Sequence, residues 1–279
     1  MNSILKYILI LLILLPTACK NKEPVVSKIE ETSVDFQMIK AYREGLQKLE
    51  EGDAIFAVKK FNEAELLYPQ SLWAPRSSLM SAYAYFSQNY YPDAIRELKR
   101  YFKTYPKHNR NDYAYYLLAM SYYNQIIDEK KDLGPILEAK KYFQLLIKVY
   151  PNTDYAEDAS YKLEAIEELL AAKEMYLAKY YIEREKWIPA INRYKNVVEK
   201  YQTTIYVEEA LHRLVEIHFR IGLIDESKKY ASLLGYNYQS SKWYERSYRV
   251  FNKNYKKVSK IKTKKNRNLT LKKIKSLLK

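Results

Sequence analysis

Hydrophobic and polar positions follow one amphipathic pattern that the chain repeats four times. AVKKFNEAELLYP at 57–69 is followed by AIRELKRYFKTYP at 94–106, AKKYFQLLIKVYP at 139–151 and AINRYKNVVEKYQ at 190–202. Apolar residues recur three or four apart in each copy, which is the spacing of one buried face on an α-helix. Each copy ends near a tyrosine, and in three copies a proline follows, which lacks the amide hydrogen that a helix interior needs. The pattern therefore predicts four equivalent helices.

The offsets within the copies are fixed. An alanine opens each copy, a large residue follows four positions later, and three copies have a small residue twelve positions before the alanine. A fifth, weaker copy passes through Val215, Ser227 and Tyr238 with the same offsets. The alanines are Ala57, Ala94, Ala139 and Ala190, the large residues Phe61, Leu98, Phe143 and Tyr194, and the small residues Gly45, Ala82 and Ala178.

These offsets resemble the tetratricopeptide repeat, a pair of antiparallel helices in about 34 residues. We therefore predict an all-α fold, a right-handed solenoid of about five tetratricopeptide-like helix pairs, whose concave surface is lined by the first helix of each pair. An ordinary helical bundle is the alternative, in which the Tyr-Pro pairs mark helix ends and nothing more. The predicted repeats are 38–71, 75–108, 112–153, 171–204 and 208–241.

Two irregularities divide the predicted solenoid. Ala119 precedes Ala139 by 20 residues instead of twelve, so an insertion near 125–135 must form a loop or lengthen the helices. No helix breaker occurs from Ala156 to Tyr181, which predicts one long helix or an added helix. We expect repeats 1–3 over 36–155, repeats 4–5 with the preceding long helix over 156–245, and a basic extension over 246–279.

The N-terminus is typical of an export signal. Lys6 precedes an apolar run from Tyr7 to Leu15, which is about half the ~20 residues that a membrane-spanning helix needs. The small residues before Cys19 resemble a bacterial lipobox, although Pro16 stands where leucine is usual. We expect a signal peptide over 1–18, with Cys19 as the lipid attachment site. A plain signal peptide or a short anchor with a buried cysteine is the alternative.

If Cys19 is lipidated, the residues after it bear on localisation. In lipoproteins of this kind an aspartate after the cysteine generally favours the inner membrane, so Lys20 favours the outer membrane. Residues 19–35 would be the lipidated, palmitate-bearing N-terminus and a polar tether between the lipid and the folded part.

Composition argues against an enzyme. The five glycines are too dispersed for a phosphate-binding loop, and a single cysteine excludes an intramolecular disulfide and a thiolate zinc site. His212 and His218 are six residues apart, a spacing that does not place them on one helix face. The sequence therefore predicts a protein without catalytic residues, cofactor or metal.

Two long stretches carry a closer resemblance. Residues 51–123 and 150–201 are similar to the BamD family, lipoproteins of the outer-membrane β-barrel assembly machinery, and the resemblance extends over roughly 36–250. It departs from the family at Gln202, which replaces a proline, and in the long basic C-terminus. The matching positions in the second stretch include Tyr180-Tyr181, Glu183-Arg184, Trp187 and Ala190–Arg193.

The resemblance implies five repeats held under the outer membrane by a lipid. The C-terminal half would bind the POTRA domains of a BamA-like β-barrel protein, and the N-terminal half would bind the C-terminal strand signal of unfolded outer-membrane proteins. Other lipoproteins of the complex are further expected partners. The main alternative is a periplasmic repeat lipoprotein acting as an adaptor for cell-wall synthesis or division proteins; an unrecognised hydrolase is a more distant one.

Aromatic residues at groove-facing positions of the first three repeats predict a trough for an extended peptide. The resemblance also places Tyr68 and Trp73, in the turn after the first repeat, near the substrate site. Packing of the same rings between repeats is the alternative. The groove-facing residues are Tyr42, Leu46, Tyr83, Phe86, Tyr113, Tyr116 and Tyr123.

The equivalent positions in repeats 4 and 5 are polar or charged, which suits a protein partner docked by ion pairs. The resemblance places Arg193 at the contact with BamA, where its planar guanidinium fits a carboxylate. A solvated helix arginine is the alternative. Glu183, Arg184 and Arg220 complete the predicted partner-binding set. The groove positions are Lys179, Glu183, His212, Glu216 and Arg220.

The C-terminal residues 252–279 contain twelve Lys or Arg and no acid, and so supply most of the net charge of +15. A solvated tail is the first interpretation. Leu271, Ile274 and Leu277, with Leu278, have helical spacing and could instead lie on an anionic membrane or a partner. Nucleic acid is not an expected partner of an exported protein.

Overall fold

The structure is a computed structural model that describes residues 33–128 and 130–252. The described residues form helices joined by turns and loops, without a strand. The predicted signal peptide, Cys19 and the basic tail from 253 onwards lie outside them. The helices are α1 Val34–Glu50, α2 Ala54–Leu67, α3 Ala74–Ser87, α4 Tyr91–Thr104, α5 Asn111–Tyr123, α6 Gly134–Val149, α7 Asp154–Ile182, α8 Trp187–Lys200, α9 Val207–Arg220, α10 Ile224–Asn237 and α11 Lys242–Phe251.

Helix pairing follows the predicted offsets. The four anchor alanines, on α2, α4, α6 and α8, are fully buried, and the large residues four positions later are buried beside them. Gly45 on α1 shows why a small residue is needed there, because a Cβ at this position would lie 2.8 Å from the ring of Phe61. Phe61 is itself fully buried and cannot move aside without disturbing the core.

Five tyrosines end the second helices of the five pairs. Tyr68, Tyr105, Tyr150, Tyr201 and Tyr238 are the C-terminal caps of α2, α4, α6, α8 and α10, and none of them keeps helical dihedral angles. The helix also ends at Tyr201, where Gln202 replaces the proline. The proline is therefore not required for this helix end.

The two irregularities take definite forms. The insertion of the third repeat forms a loop between the end of α5 at Tyr123 and the start of α6 at Gly134. The segment without breakers is one helix of 29 residues, α7. The first part of α7 packs against α5 and α6, and its second part pairs with α8. Thus α7 both covers repeat 3 and opens repeat 4.

The core is a row of five hydrophobic clusters along the stack, instead of one central core. Each helix packs mainly on its neighbours in sequence, and first helices also touch one another, as α3 with α5 and α5 with α7. Because these contacts stay within one repeat or join adjacent repeats, they confirm the helical repeat solenoid and exclude the ordinary bundle.

The last helix of the described residues, α11, crosses the expected boundary between repeat 5 and the basic extension at 245/246. Ser241 caps its first turn, and Ser247 is fully buried against α9. Gly235 on α10 leaves room for this contact, since a Cβ there would lie 2.7 Å from the ring of Tyr244. Residues up to Phe251 therefore close the end of the solenoid.

Candidate peptide-binding and partner-binding surfaces

The first part of the predicted trough brings α1 and the turn after α2 together. The ring of Tyr42 lies edge-on to Phe61, with centroids 5.4 Å apart, and to Trp73, with centroids 5.1 Å apart. Arg76 lies over the same Trp73 ring at 5.4 Å. Burial raises the pKa of Tyr42, and its hydroxyl therefore stays protonated. Tyr42 and Trp73, predicted separately, form one partly buried aromatic cluster.

The rings of the third repeat turn towards α7. Tyr113 and Tyr116 lie 5.4 Å and 5.2 Å from the ring of Tyr155. The Tyr116 hydroxyl donates a hydrogen bond of 2.7 Å to Asp158. Tyr123 lies edge-on to Phe143, 6.1 Å away. These three rings pack between neighbouring helices, as the alternative interpretation expects, and expose only part of their surface to the groove.

The remaining trough residues have mixed environments. Leu46 packs against the cluster around Phe61, while Tyr83 and Phe86 are partly buried beside α4 and α5. Tyr68 at the end of α2 is 41% exposed. The nearby Leu72 is 85% exposed, so the turn after the first repeat is the more accessible apolar edge.

A charged network joins the first two repeats. Arg100 on α4 donates two parallel hydrogen bonds, of 2.9 Å and 2.7 Å, to the two carboxylate oxygens of Glu65 on α2. Tyr105 donates a third bond to Glu65, and Ser78 and Glu97 accept from Arg100. The hydrogen bonds to Glu65 are the main reason that the pKa of Arg100 is raised. This bidentate pair fixes repeat 2 on repeat 1.

The concave surface of the second half contains a cavity of about 600 Å³ between α7, α8 and α9. Its apolar lining comes from three helices, with Met175 and Ile182 on α7, Trp187 and Tyr194 on α8, and Ile217 on α9. Burial raises the pKa of Tyr194 to about 12, so this side chain remains neutral. The cavity falls within the range of roughly 300–1,000 Å³ of small-ligand sites.

Charged groups border this cavity in two sets. Arg213 forms ion pairs of 3.1 Å and 2.8 Å with Glu209 and Glu216. Burial opposes ionisation of Glu216, but hydrogen bonds and charge interactions with His212 and Arg213 outweigh it and lower the pKa of Glu216 to about 2. Arg213 is therefore paired within its own helix, and the set contains two carboxylates for one guanidinium.

The second set consists of Lys179, Glu183 and Arg220, which line the cavity without an ion pair to any described residue. The guanidinium of Arg220 lies over the ring of Trp187, 4.8 Å from its centroid, an arrangement that holds the cation at the cavity rim. These side chains carry two positive charges and one negative charge towards solvent.

The other two predicted partner-binding residues lie outside the cavity. Arg193 on α8 contacts both carboxylate oxygens of Glu174 on α7, at 3.1 Å and 3.3 Å, and Asn196 donates to the same carboxylate. Arg184 stacks on Tyr180 with its guanidinium carbon 3.6 Å from the ring centroid. The predicted set thus divides into two cavity residues, Glu183 and Arg220, and two that contact α7.

One cluster has the residue types of a hydrolase triad. His212 accepts from or donates to Ser247 through Nδ1 at 2.8 Å, and its Nε2 lies 3.4 Å from Glu216. Ser247 is fully buried between α9 and α11, so its hydroxyl is inaccessible to a substrate. The cluster instead holds α11 onto α9, where His212 also stacks near Trp243.

Within residues 33–128 and 130–252, no group of three or more His, Cys, Asp or Glu side chains is placed to hold a metal ion. None of the helices α1–α11 combines the length and the apolar composition of a membrane span.

Comparison with known proteins decides the family. Residues 34–234 match the family model YfiO, described as an outer membrane lipoprotein. Outer membrane protein assembly factor BamD of Caulobacter vibrioides is 38% identical over 237 residues, covering 85% of this chain and 76% of the relative. BamD of Rickettsia prowazekii is also 38% identical, covering 82% of this chain and 91% of the relative. The chain belongs to the BamD family.

Among solved structures, the TPR2AB domain of yeast Sti1 in complex with pHSP90 is similar at 14% identity and a TM-score of 0.42, covering 77% of this chain and 82% of that one.

The match to the BamD family includes α1 through most of α10. The cavity and the Glu65–Arg100 pair both lie inside the matched region, whereas α11 and the tail follow it.

Sequence reasoning did not single out the floor of the cavity. In the sequence, Trp187 belongs to the family resemblance and Tyr194 to the large residues of the repeat, and no pattern marks Met175. A usable signal was present, because Trp187 and Tyr194 are seven residues apart and so share one face of a helix. What the sequence could not supply was the meeting of that face with Lys179 and Arg220 from two other helices.

Proposed function

We propose that this BamD-family chain is a non-enzymatic scaffold of outer-membrane β-barrel assembly. It is anchored through a lipid on Cys19 at the periplasmic side of the outer membrane, and it binds the POTRA domains of a BamA-like protein, unfolded outer-membrane proteins and other lipoproteins of the complex. The observation that carries the proposal is the family match over 34–234, which coincides with the five helix pairs.

The geometry supports a binding role. A stack of helix pairs with the partly buried aromatic cluster of Tyr42 and Trp73 in one half and a cavity bordered by charges in the other offers two surfaces of different chemistry to polypeptides. The described residues contain no accessible catalytic cluster, since Ser247 of the triad-like group is buried. In the proposed scaffold, each of these two surfaces would bind a different polypeptide.

A pull-down tests the proposal. Tagged full-length chain recovered from solubilised envelopes should retain a β-barrel protein with POTRA domains, and the bound fraction should fall at high salt because charged surfaces contribute. Recovery of peptidoglycan enzymes alone would favour the cell-wall adaptor and reject the proposal.

Arg193 allows a sharper test of the partner surface. The change Arg193→Glu should weaken binding of the POTRA protein about tenfold or more, the range seen when a buried interfacial charge pair is broken. Because Arg193 is paired with Glu174 within the chain, the loss alone does not separate partner binding from helix packing.

The exchange Glu174→Arg with Arg193→Glu supplies the control. It restores an ion pair between α7 and α8, so unfolding should return towards the wild-type midpoint while partner affinity stays low. The measurements are chemical unfolding and titration with purified POTRA domains. If the exchange restored affinity together with stability, Arg193 would have only a structural role.

A further inference from the structure

The exposed side of α11 is basic. Lys242, Arg246 and Arg249 are separated by four and three residues, which places them on one side of the helix, away from the buried Ser247. All three are exposed, and none forms an ion pair with a residue of 33–128 or 130–252. The helix contains one acid, Glu245, and so has a net charge of +2.

Aromatic side chains accompany these cations. The Nζ atom of Lys242 lies 5.1 Å, and the guanidinium carbon of Arg246 4.6 Å, from the ring centroid of Trp243. Phe251, the last residue of α11, packs edge-on against Phe219 of α9, and the two remain 37% and 39% exposed. The end of the solenoid therefore presents both positive charge and apolar surface.

The sequence after α11 continues this character. Residues 252–279 contain twelve Lys or Arg and no acid, which leaves a net charge of +3 for residues 1–251. Lys253, Lys256 and Lys260 continue the spacing of three or four residues between the cations of α11. Residues from 253 onwards lie outside the described ranges, and this pattern is one of sequence alone. Most of the net positive charge thus follows directly on the basic side of α11.

An anionic lipid surface fits both the charge and the apolar residues. Each Lys or Arg near anionic headgroups adds to the attraction. Near the C-terminus, apolar residues recur at helical spacing with lysines between them, a pattern typical of segments that lie in the headgroup region. An acidic polypeptide would match the charges but not the apolar positions. The apolar residues are Leu271, Ile274, Leu277 and Leu278, and the lysines are Lys272, Lys273 and Lys275.

We propose that α11 and the basic segment 253–279 bind the surface of an anionic phospholipid membrane. Their cations contact lipid phosphates, and the apolar side chains near the C-terminus enter between the headgroups. Residues 253–279 can reach at most about 90 Å, whereas a 14-residue helix such as α10 is about 21 Å long. The segment is therefore long enough to reach the membrane that holds the lipid on Cys19. The inference rests on the proposed function only for that lipid.

Fluorescence quenching in vesicles tests the inference on the full-length lipidated chain. Cys19 is the only cysteine, and the lipid blocks its thiol, so Ser276→Cys supplies one site for a dye. The chain is reconstituted into phosphatidylcholine vesicles with or without phosphatidylglycerol, both containing a lipid-attached quencher. Quenching should be several-fold stronger with phosphatidylglycerol and should fall as salt is added. Equal quenching in the two kinds of vesicle would overturn the inference.

Charge variants test the part played by α11. Lys242→Gln with Arg249→Gln should lower the salt concentration at which quenching is halved, because two cations are lost. Lys228→Gln with Lys229→Gln is the matched control, since these exposed lysines of α10 are paired with acids of their own helix. The control should leave that salt concentration unchanged. Circular dichroism checks that the helices remain. Equal shifts for the two double variants would contradict the assignment to α11.

Apolar substitutions distinguish a membrane from an acidic polypeptide. Leu271→Ser with Leu277→Ser should reduce quenching in the vesicles with phosphatidylglycerol and leave binding of soluble poly-glutamate unchanged. If quenching stays the same, and poly-glutamate binds the chain as tightly as these vesicles do, the segment binds polyanions in general and the lipid assignment falls.

The vesicle experiment and the pull-down have separate outcomes. If phosphatidylglycerol has no effect while the pull-down retains the POTRA protein, the membrane contact falls and the scaffold stands. If the pull-down retains no POTRA protein while phosphatidylglycerol still increases quenching, the scaffold proposal falls and the membrane contact stands.

Discussion

Replacing Arg100 with methionine is expected to lower the free energy of unfolding by about 2–3 kcal/mol. The change leaves the carboxylate of Glu65, whose residue is only 7% exposed, with the Tyr105 hydroxyl as its remaining partner. Breaking a buried pair from one side typically costs 3–5 kcal/mol. We expect about half to two-thirds of that, because the side chain of Arg100 is 40% exposed and solvent screens the pair.

Chemical unfolding and amide hydrogen exchange measure this loss. In a solenoid each unit depends on its neighbours, so protection should fall most in α1 to α4 and least in α9 and α10. The double variant Glu65→Met with Arg100→Met should recover much of the stability, because no charge is then left buried.

Arg96→Met is the matched control on the same helix. The Arg96 side chain is 63% exposed and its ion pairs are with Asp93 and Glu97 of its own helix, so its loss should change stability by less than about 0.5 kcal/mol. If the double variant Glu65→Met with Arg100→Met lost as much stability as the two single variants together, Glu65 and Arg100 would not couple the two repeats.

The fold was predictable because its determinants are local and repeated. A buried alanine such as Ala94 and a helix-ending tyrosine such as Tyr105 have fixed separations along the chain, and these separations specify where helices cross and end. These separations predict the all-α solenoid without any knowledge of contacts between distant residues, and the structure confirms it. The absence of a breaker from Ala156 to Tyr181 predicted one long helix or an added helix, and the structure has the single helix α7 of 29 residues.

The sites were less predictable because they depend on contacts across repeats. Tyr116 meets Asp158 across 42 residues, and Arg193 meets Glu174 across 19. No helical period specifies such pairs, since they depend on how each unit rotates on the next. A groove-facing position in the repeat frame therefore predicts a location but not whether the side chain faces solvent or a neighbouring helix.

The cap helix α11 shows a third limit. Ser241 before an amphipathic segment is a helix start signal, yet the basic composition that follows made the region resemble the beginning of a tail. Burial of Ser247 and the contact of Tyr244 with Gly235 depend on α9 and α10, which only the folded chain brings together.

The change Phe143→Ala is expected to have a still larger effect, lowering the free energy of unfolding by about 3–5 kcal/mol. Phe143 on α6 is fully buried in the cluster that joins repeat 3 to α7, and its ring contacts those of Tyr116 and Tyr123. Alanine would remove the largest fully buried side chain of that cluster and leave a cavity between α5 and α7, which the packed helices can close only in part.

Unfolding of Phe143→Ala is best compared with that of Phe56→Ala. Phe56 lies on α2 with 53% of its surface exposed, so the same chemical change there should cost less than about 1 kcal/mol. Because α7 connects the two halves, loss of Phe143 should also reduce amide protection in α5 and the first part of α7 before that in α9. Equal losses for Phe143→Ala and Phe56→Ala would mean that the connection between α6 and α7 does not depend on this cluster.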